Sequence, residues 1–250
     1  MQRMISALIL IFFATLGSVQ AQKAPPAGSI MAEAKAETDA GNLSAALELY
    51  KKAYANNEQR AAEQLARLYM EGGEGITVDY AAAKDWAQKA IDAGESRGLL
   101  YLGKIWMEGL GVTKNLDKAL SYFQQANEAG DMKAGRYVGL IMAEQGNDAA
   151  AAEWFKKAAE AGDITSQYYL GRAYQTGKGV EQDFAAALLW YEKSASRGDI
   201  IASDGMVGLA SLYENGQGVP TDVAKAKTLY QKAATLGNET AKADLARLGQ

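Results

Sequence analysis

Residues 167–198 read QYYLGRAYQTGKGVEQDFAAALLWYEKSASRG, and they contain two helical periods. Tyr169, Leu170, Ala173 and Tyr174 recur at spacings that put apolar groups on one side of a first helix. Gly177 and Gly179 end it, because glycine takes a positive φ without steric cost. Asp183 stands where an N-cap carboxylate would accept from the free amides of a second helix. That helix carries Phe184, Ala187, Leu188, Trp190, Tyr191 and Ala195, and a C-terminal stop is expected at Gly198. The unit is a helix, a glycine loop, a helix and a turn. One such pair cannot bury its apolar faces alone, whereas stacked neighbours can.

Three columns show that the unit repeats. Leu170-Gly171 recurs as Leu65-Ala66, Leu102-Gly103, Val138-Gly139, Leu209-Ala210 and Leu245-Ala246, with steps of 37, 36, 32, 39 and 36 between the small residues. Predicted helix caps Asn42, Asp79, Asn115, Asp148, Asp183 and Asp222 each lie four residues before a helix alanine: Ala46, Ala83, Ala119, Ala152, Ala187 and Ala226. Turn glycines fall at Gly94, Gly130, Gly162, Gly198 and Gly237. The pairs predicted from these columns span 29–57, 61–94, 97–130, 134–162, 167–198 and 207–237, and 239–248 reads as a lone amphipathic helix capping the open end. The step of 39 predicts about three extra residues near Ile201 to Met206.

The stretches LGRAYQTGKGVEQDFAAALLWYEKSASRGD, LGKIWMEGLGVTKNLDKALSYFQQANEAGD and LASLYENGQGVPTDVAKAKTLYQKAATLGN resemble Sel-one-like repeats, relatives of the tetratricopeptide repeat. The likeness covers roughly residues 29–249 and rests on the GxGV loop and the aromatic-Lys-Ala run. It implies an all-α protein, a right-handed α/α solenoid of about six helix pairs plus a capping helix, that binds other molecules as an adaptor or assembly factor. Two units depart from the pattern. Around Gly41-Asn42 and Gly146-Asn147 the long glycine loop is missing, which predicts tighter turns.

The chain begins MQRMISALILIFFATLGSVQA. Arg3 gives a positive start, Ile5 to Leu16 an apolar core too short for a normal membrane span, and Val19-Gln20-Ala21 the small residues a signal peptidase reads. Residues 1–21 are expected to be a cleaved signal and 22–28, with Pro25-Pro26, a disordered lead to a repeat domain over 29–250. The expected location is the periplasm or the outside of a bacterial cell, with no stable membrane insertion after cleavage. Without residues 1–21 the chain keeps 25 cations against 30 acids, and an acidic protein of this kind has no global pull toward nucleic acid. It has no cysteine, so packing alone must hold the stack.

The catalytic inventory is short. There is no histidine for an imidazole base or a metal site, and no thiol nucleophile or thiolate zinc site. No serine is followed three residues later by lysine. The GxG pairs at Gly109/Gly111, Gly177/Gly179 and Gly216/Gly218 lack the third glycine and the preceding strand of a dinucleotide site, and recur once per unit as loop punctuation. Arg197-Gly198-Asp199 sits where other units carry Ala-Gly-Asp, so it reads as a repeat turn. The expectation is a chain that is not an enzyme and carries no cofactor or metal.

A candidate partner face follows from helical spacing. Residues three apart share a side, which pairs Gln64 with Arg67, Tyr101 with Lys104, Tyr137 with Leu140, and Tyr169 with Arg172. Stacked first helices would align these as tyrosines flanked by cations on the inner side of the curve, a composition that protein interfaces favour. The alternative use of the tyrosines is packing between units. Trp86, Phe123, Phe155, Trp190, Tyr191, Leu229 and Tyr230 are assigned to the second-helix core. Two function classes result: a scaffold for a protein or peptide partner in the envelope, or a receptor for cell-wall glycan or an anionic polysaccharide. Cations beside the aromatics, where a neutral glycan site wants carboxylates, favour the first.

Overall fold

In the computed structural model, which describes residues 28–249, the chain folds into helix pairs stacked in sequence order. They are α1 (Ile30–Asp39) with α2 (Leu43–Ala55), α3 (Ala61–Glu71) with α4 (Tyr80–Asp92), and α5 (Arg97–Glu108) with α6 (Leu116–Glu128). Then come α7 (Met132–Glu144) with α8 (Asp148–Glu160), α9 (Ile164–Thr176) with α10 (Phe184–Ala195), and α11 (Ser203–Asn215) with α12 (Val223–Thr235). The lone helix α13 (Glu239–Leu248) closes the stack, with Ala241 buried against the last pair. The extra residues of the 39-residue step form a short 3-10 turn, Ile200–Ala202, ahead of α11.

Each helix packs on its chain neighbours, and first helices also meet one another, α3 with α5 and α9 with α11. No two second helices come into comparable contact among the described residues, so the first helices line the inner side of the stack. The predicted caps at Asp79, Asn115, Asp183 and Asp222 all accept from amides in the first turn. Asn42 occupies a cap position but its side chain donates to Glu37 instead. The fourth cap is Asn147 and not Asp148: Asn147 Oδ1 accepts from the Ala150 amide at 3.2 Å, and Asp148 is already helical. Cap plus four is therefore Ala151; both it and Ala152 are buried.

Size matching at one crossing tightens the third, fourth and fifth pairs. The small residue of the first helix faces the residue four after the cap alanine on the second. A methyl on Gly103 would lie 2.5 Å from the Phe123 ring, one on Gly139 2.6 Å from Phe155, and one on Gly171 2.7 Å from Tyr191. In the second pair the glycine is Ala66 and the ring is Ala87, both fully buried. The match is not strict, for in the sixth pair Ala210 shares a buried cluster with the Tyr230 ring. Phe123, Phe155, Tyr191 and Tyr230 are buried as expected. Trp86, Trp190 and Leu229 are only half-buried, because they sit one residue earlier on the helix and so point between units. Lysines three residues on cover the tryptophans: Lys89 Nζ lies 3.9 Å from the Trp86 ring centre and Lys193 Nζ 4.2 Å from that of Trp190.

The long loops have their own role. Ile76, Val112 and Val219 fold back into apolar clusters formed by the preceding pair and the first helix of their own pair. The second loop glycine approaches the start of the preceding second helix; at Gly179 (φ +75°) a side chain would collide with the Asp148 carbonyl. Residues 1–27, which include the expected signal and most of the lead, lie outside the described part of the chain. Among the described residues no helix is long and apolar enough to cross a membrane.

Candidate functional site on the first helices

The seven candidate residues all fall on first helices. α3 carries Gln64 and Arg67, α5 Tyr101 and Lys104, α7 Tyr137, and α9 Tyr169 and Arg172. Their rings serve the stack. Tyr137 lies on Phe123 with ring centres 4.6 Å apart and planes 11° from parallel, and Tyr169 lies on Phe155 at 4.9 Å and 19°. Each tyrosine thus covers the ring of the preceding pair, a contact beyond the reach of single-helix periodicity. Tyr101 is half-buried against the cluster of Ala66, Ala83 and Ala87. Burial pushes the Tyr101 phenol well above its ordinary value. The Tyr169 phenol is also raised, by burial first and then by Tyr168, with Arg172 pulling it back.

The cations divide into two groups. Arg67 is neutralised on its own helix, donating to Glu71 at 3.2 Å and to Gln64 at 3.4 Å. Lys104 and Arg172 have no carboxylate within ion-pairing distance among the described residues. Lys104 Nζ lies 5.4 Å from the centre of the Tyr137 ring, and the Arg172 guanidinium 5.8 Å from that of Tyr169. Leu140, the partner of Tyr137 by spacing, packs half-buried on the Phe155 cluster.

Sequence reasoning passed over Arg136. Its guanidinium sits 5.0 Å from the Tyr137 ring centre and donates to Asp163 at 3.0 and 3.3 Å. Both side chains are largely buried, and Asp163 also caps α9. The signal was the Gly-Asp step after the fourth pair, read only as a turn.

A recess of about 290 Å³ opens beside Tyr169 and Arg172. Its floor is Ala151, Ala152, Phe155 and Ala173, and its rim carries Glu144, Asp148, Arg172 and Lys178. Glu144 is already bridged by Lys114 from the preceding pair. A larger, more open depression of about 500 Å³ lies over Leu47, Tyr69 and residues 75–81. Its one carboxylate, Asp79, is committed to capping α4. Among the described residues no group of three or more carboxylates is placed to hold a metal ion. The site can do what unpaired cations on a fixed aromatic surface do, which is bind an anionic group.

Comparison with known proteins agrees with this architecture. The Sel1 repeat model matches residues 38–58, 59–95, 96–131, 133–163, 164–199 and 203–238, so the chain belongs to the Sel1 repeat family, a class of repeat scaffolds related to the tetratricopeptide fold. A Sel1 repeat protein from Oxalobacter formigenes is 29% identical, with a TM-score of 0.67 over 75% of each chain. A protective antigen of uropathogenic Escherichia coli strains is also 29% identical, at a TM-score of 0.65 over 87% of this chain and 51% of that one. An uncharacterised protein of Neisseria meningitidis serogroup B is 32% identical over 89 residues, 36% of this chain and 19% of that protein. The chain thus spans about half the antigen's length and about a fifth of the Neisseria protein's.

Proposed function

We propose that the chain is an exported, non-catalytic scaffold of the bacterial envelope that holds a protein partner against its first helices. The observation that carries this reading is the pair Lys104 and Arg172, laid over Tyr137 and Tyr169 with no carboxylate among the described residues to neutralise either. The whole chain has a formal net charge of −4, so two unneutralised cations on one face are a local departure. Their tyrosines are fixed by stacking, so a partner would order only the long cationic side chains. Cations over fixed rings favour an acidic segment. The absence of histidine and cysteine throughout supports a binding role over chemistry. Export rests on the signal-like residues 1–21, and a relative described as a protective antigen supports it.

The test immobilises the mature protein and its Lys104→Glu/Arg172→Glu variant, and identifies by mass spectrometry what each retains from an envelope extract. The expected result is one recurring protein that the reversed variant loses. Equal recovery from both, or glycan alone, overturns the reading. The intact mass of the protein recovered from the host envelope checks export: it should correspond to cleavage after Ala21.

A further inference from the structure

The first helices change in charge along the stack. α5, α7 and α9 together carry five cations (Arg97, Lys104, Lys133, Arg136 and Arg172) against two carboxylates, Glu108 and Glu144. On either side the balance reverses: α3 has Glu63 and Glu71 against Arg67, and α11 has Asp204 and Glu214 with no cation. Within the band, Arg97 and Arg136 are bound to Glu63 and Asp163, and Glu144 to Lys114. Asp131 and Asp163, at the foot of the band, cap α7 and α9. Exposed Lys133 and Glu108 stand at opposite ends of their helices, in the first turn of α7 and the last turn of α5. Lys104 and Arg172 occupy equivalent places, two residues after the leucine of the Leu-Gly column, with Leu140 at the same place on α7 between them. The next residues of this row on either side are closed. Arg67 is held by Glu71 and Gln64, and Ser211 accepts from Gln175, which also donates to Gln217 and accepts from the Tyr191 hydroxyl.

We propose that this band is a three-helix track for one extended segment of the partner, held by two side-chain carboxylates about six residues apart, one on Lys104 and one on Arg172. The separation comes from the stack. Packed helices lie about 8–10 Å apart, so at about 10 Å per pair the two cations stand about 20 Å apart, which about six residues of extended chain span. The middle of the segment needs no charge, because it passes over Tyr137 and Leu140, where the Arg136 guanidinium already belongs to Asp163. A helical segment fits worse. Helix recognition wants an apolar groove for anchors at successive turns, whereas this track offers cations, tyrosine rings fixed by stacking and one half-buried leucine. The closed contacts at Arg67 and Gln175 end the track on each side. The track deepens the proposed function and rests on it; it names the pattern by which a partner would be chosen.

The test titrates the mature protein, at low ionic strength, into peptides of equal length that carry an uncharged fluorophore, are blocked at both ends and are neutral except for aspartates. Four have two aspartates three, six, nine or thirteen positions apart, the last being the separation that spans about 20 Å on a helix, and a fifth has one aspartate. The doubly acidic peptides share one net charge, so attraction to the band as a whole treats them alike. By fluorescence anisotropy, separation six should bind about fivefold more tightly than the single aspartate and than the other separations, the gain that one further exposed ion pair gives. Lys104→Gln and Arg172→Gln should each reduce it to the level of the single aspartate. Lys104→Arg should keep the maximum at six, and Lys232→Gln, on the exposed side of α12, should change nothing. No measurable binding, equal binding of the four, a maximum at any other separation, or one that survives Lys104→Gln overturns the track. The broader function would still stand if the reversed Lys104/Arg172 variant loses its envelope partner while these peptides show no preference.

Discussion

The ring-and-glycine crossing can be tested by exchanging the third pair for the second. Gly103→Ala places a methyl 2.5 Å from the Phe123 ring, which is also stacked on Tyr137 and fully buried. Overpacking of this kind costs about 1–3 kcal/mol, against which alanine returns about 1 kcal/mol of helix propensity. The single variant should therefore lose up to about 2 kcal/mol. Phe123→Ala should lose about 3–5 kcal/mol through transfer energy and a cavity. The double variant reproduces the Ala66/Ala87 crossing. There the new methyl meets no ring, so only its helix propensity remains, and the double should be about 1 kcal/mol more stable than Phe123→Ala alone. The coupling between the sites is then about 1–3 kcal/mol in favour of the double. Urea denaturation followed by circular dichroism measures it, with the m-value watched because repeat stacks can unfold in segments. A double variant less stable than Phe123→Ala, by the amount Gly103→Ala costs alone, would refute size matching.

Other outcomes follow from individual contacts. Arg136→Gln leaves Asp163 buried without its cation and should cost about 3 kcal/mol, whereas Arg67→Gln, in a more exposed pair within one helix, should cost below about 0.5 kcal/mol; similar urea midpoints for the two would contradict the difference in burial. Gly179→Ala forces a left-handed backbone onto a residue with a Cβ and drives it into the Asp148 carbonyl, so amide exchange in the first turn of α8 should accelerate. Arg247 and then Tyr230 hold the Glu214 carboxyl below the usual glutamate range by hydrogen bonding. Its stabilisation is full above that range and is lost as pH falls through the depressed value. Glu214→Gln should consequently show a shallower loss of stability than the parent between about pH 5 and about pH 3.

The stack was legible because its columns encode short-range rules. Cap, small residue and turn glycine each depend on a few neighbouring positions, and together they fixed the pairing and the 239–248 end helix. The misplaced cap at Asp148 arose because two adjacent polar residues both suit a cap, and only the shortened turn decides for Asn147. Trp190 was assigned to the core because helical spacing separates neighbouring residues by a fraction of a turn; Tyr191 took the buried place and Trp190 the seam. The candidate face was partly legible for the same reason. Spacing put Lys104 and Arg172 beside tyrosines, but what lies across from a side chain belongs to the next unit, so the stacking on Phe123 and Phe155 could not be read from one helix.

The central claim is that the partner lies on the first helices. It is tested most directly by photo-crosslinking in the native host from position 108, exposed on α5 near Lys104, and from position 192, exposed on the second helix α10. Capture of one protein from position 108, lost on reversing Lys104 and Arg172 and not seen from position 192, is the predicted result. Capture from position 192 that is unaffected by those reversals would place the partner on the opposite side and contradict the account.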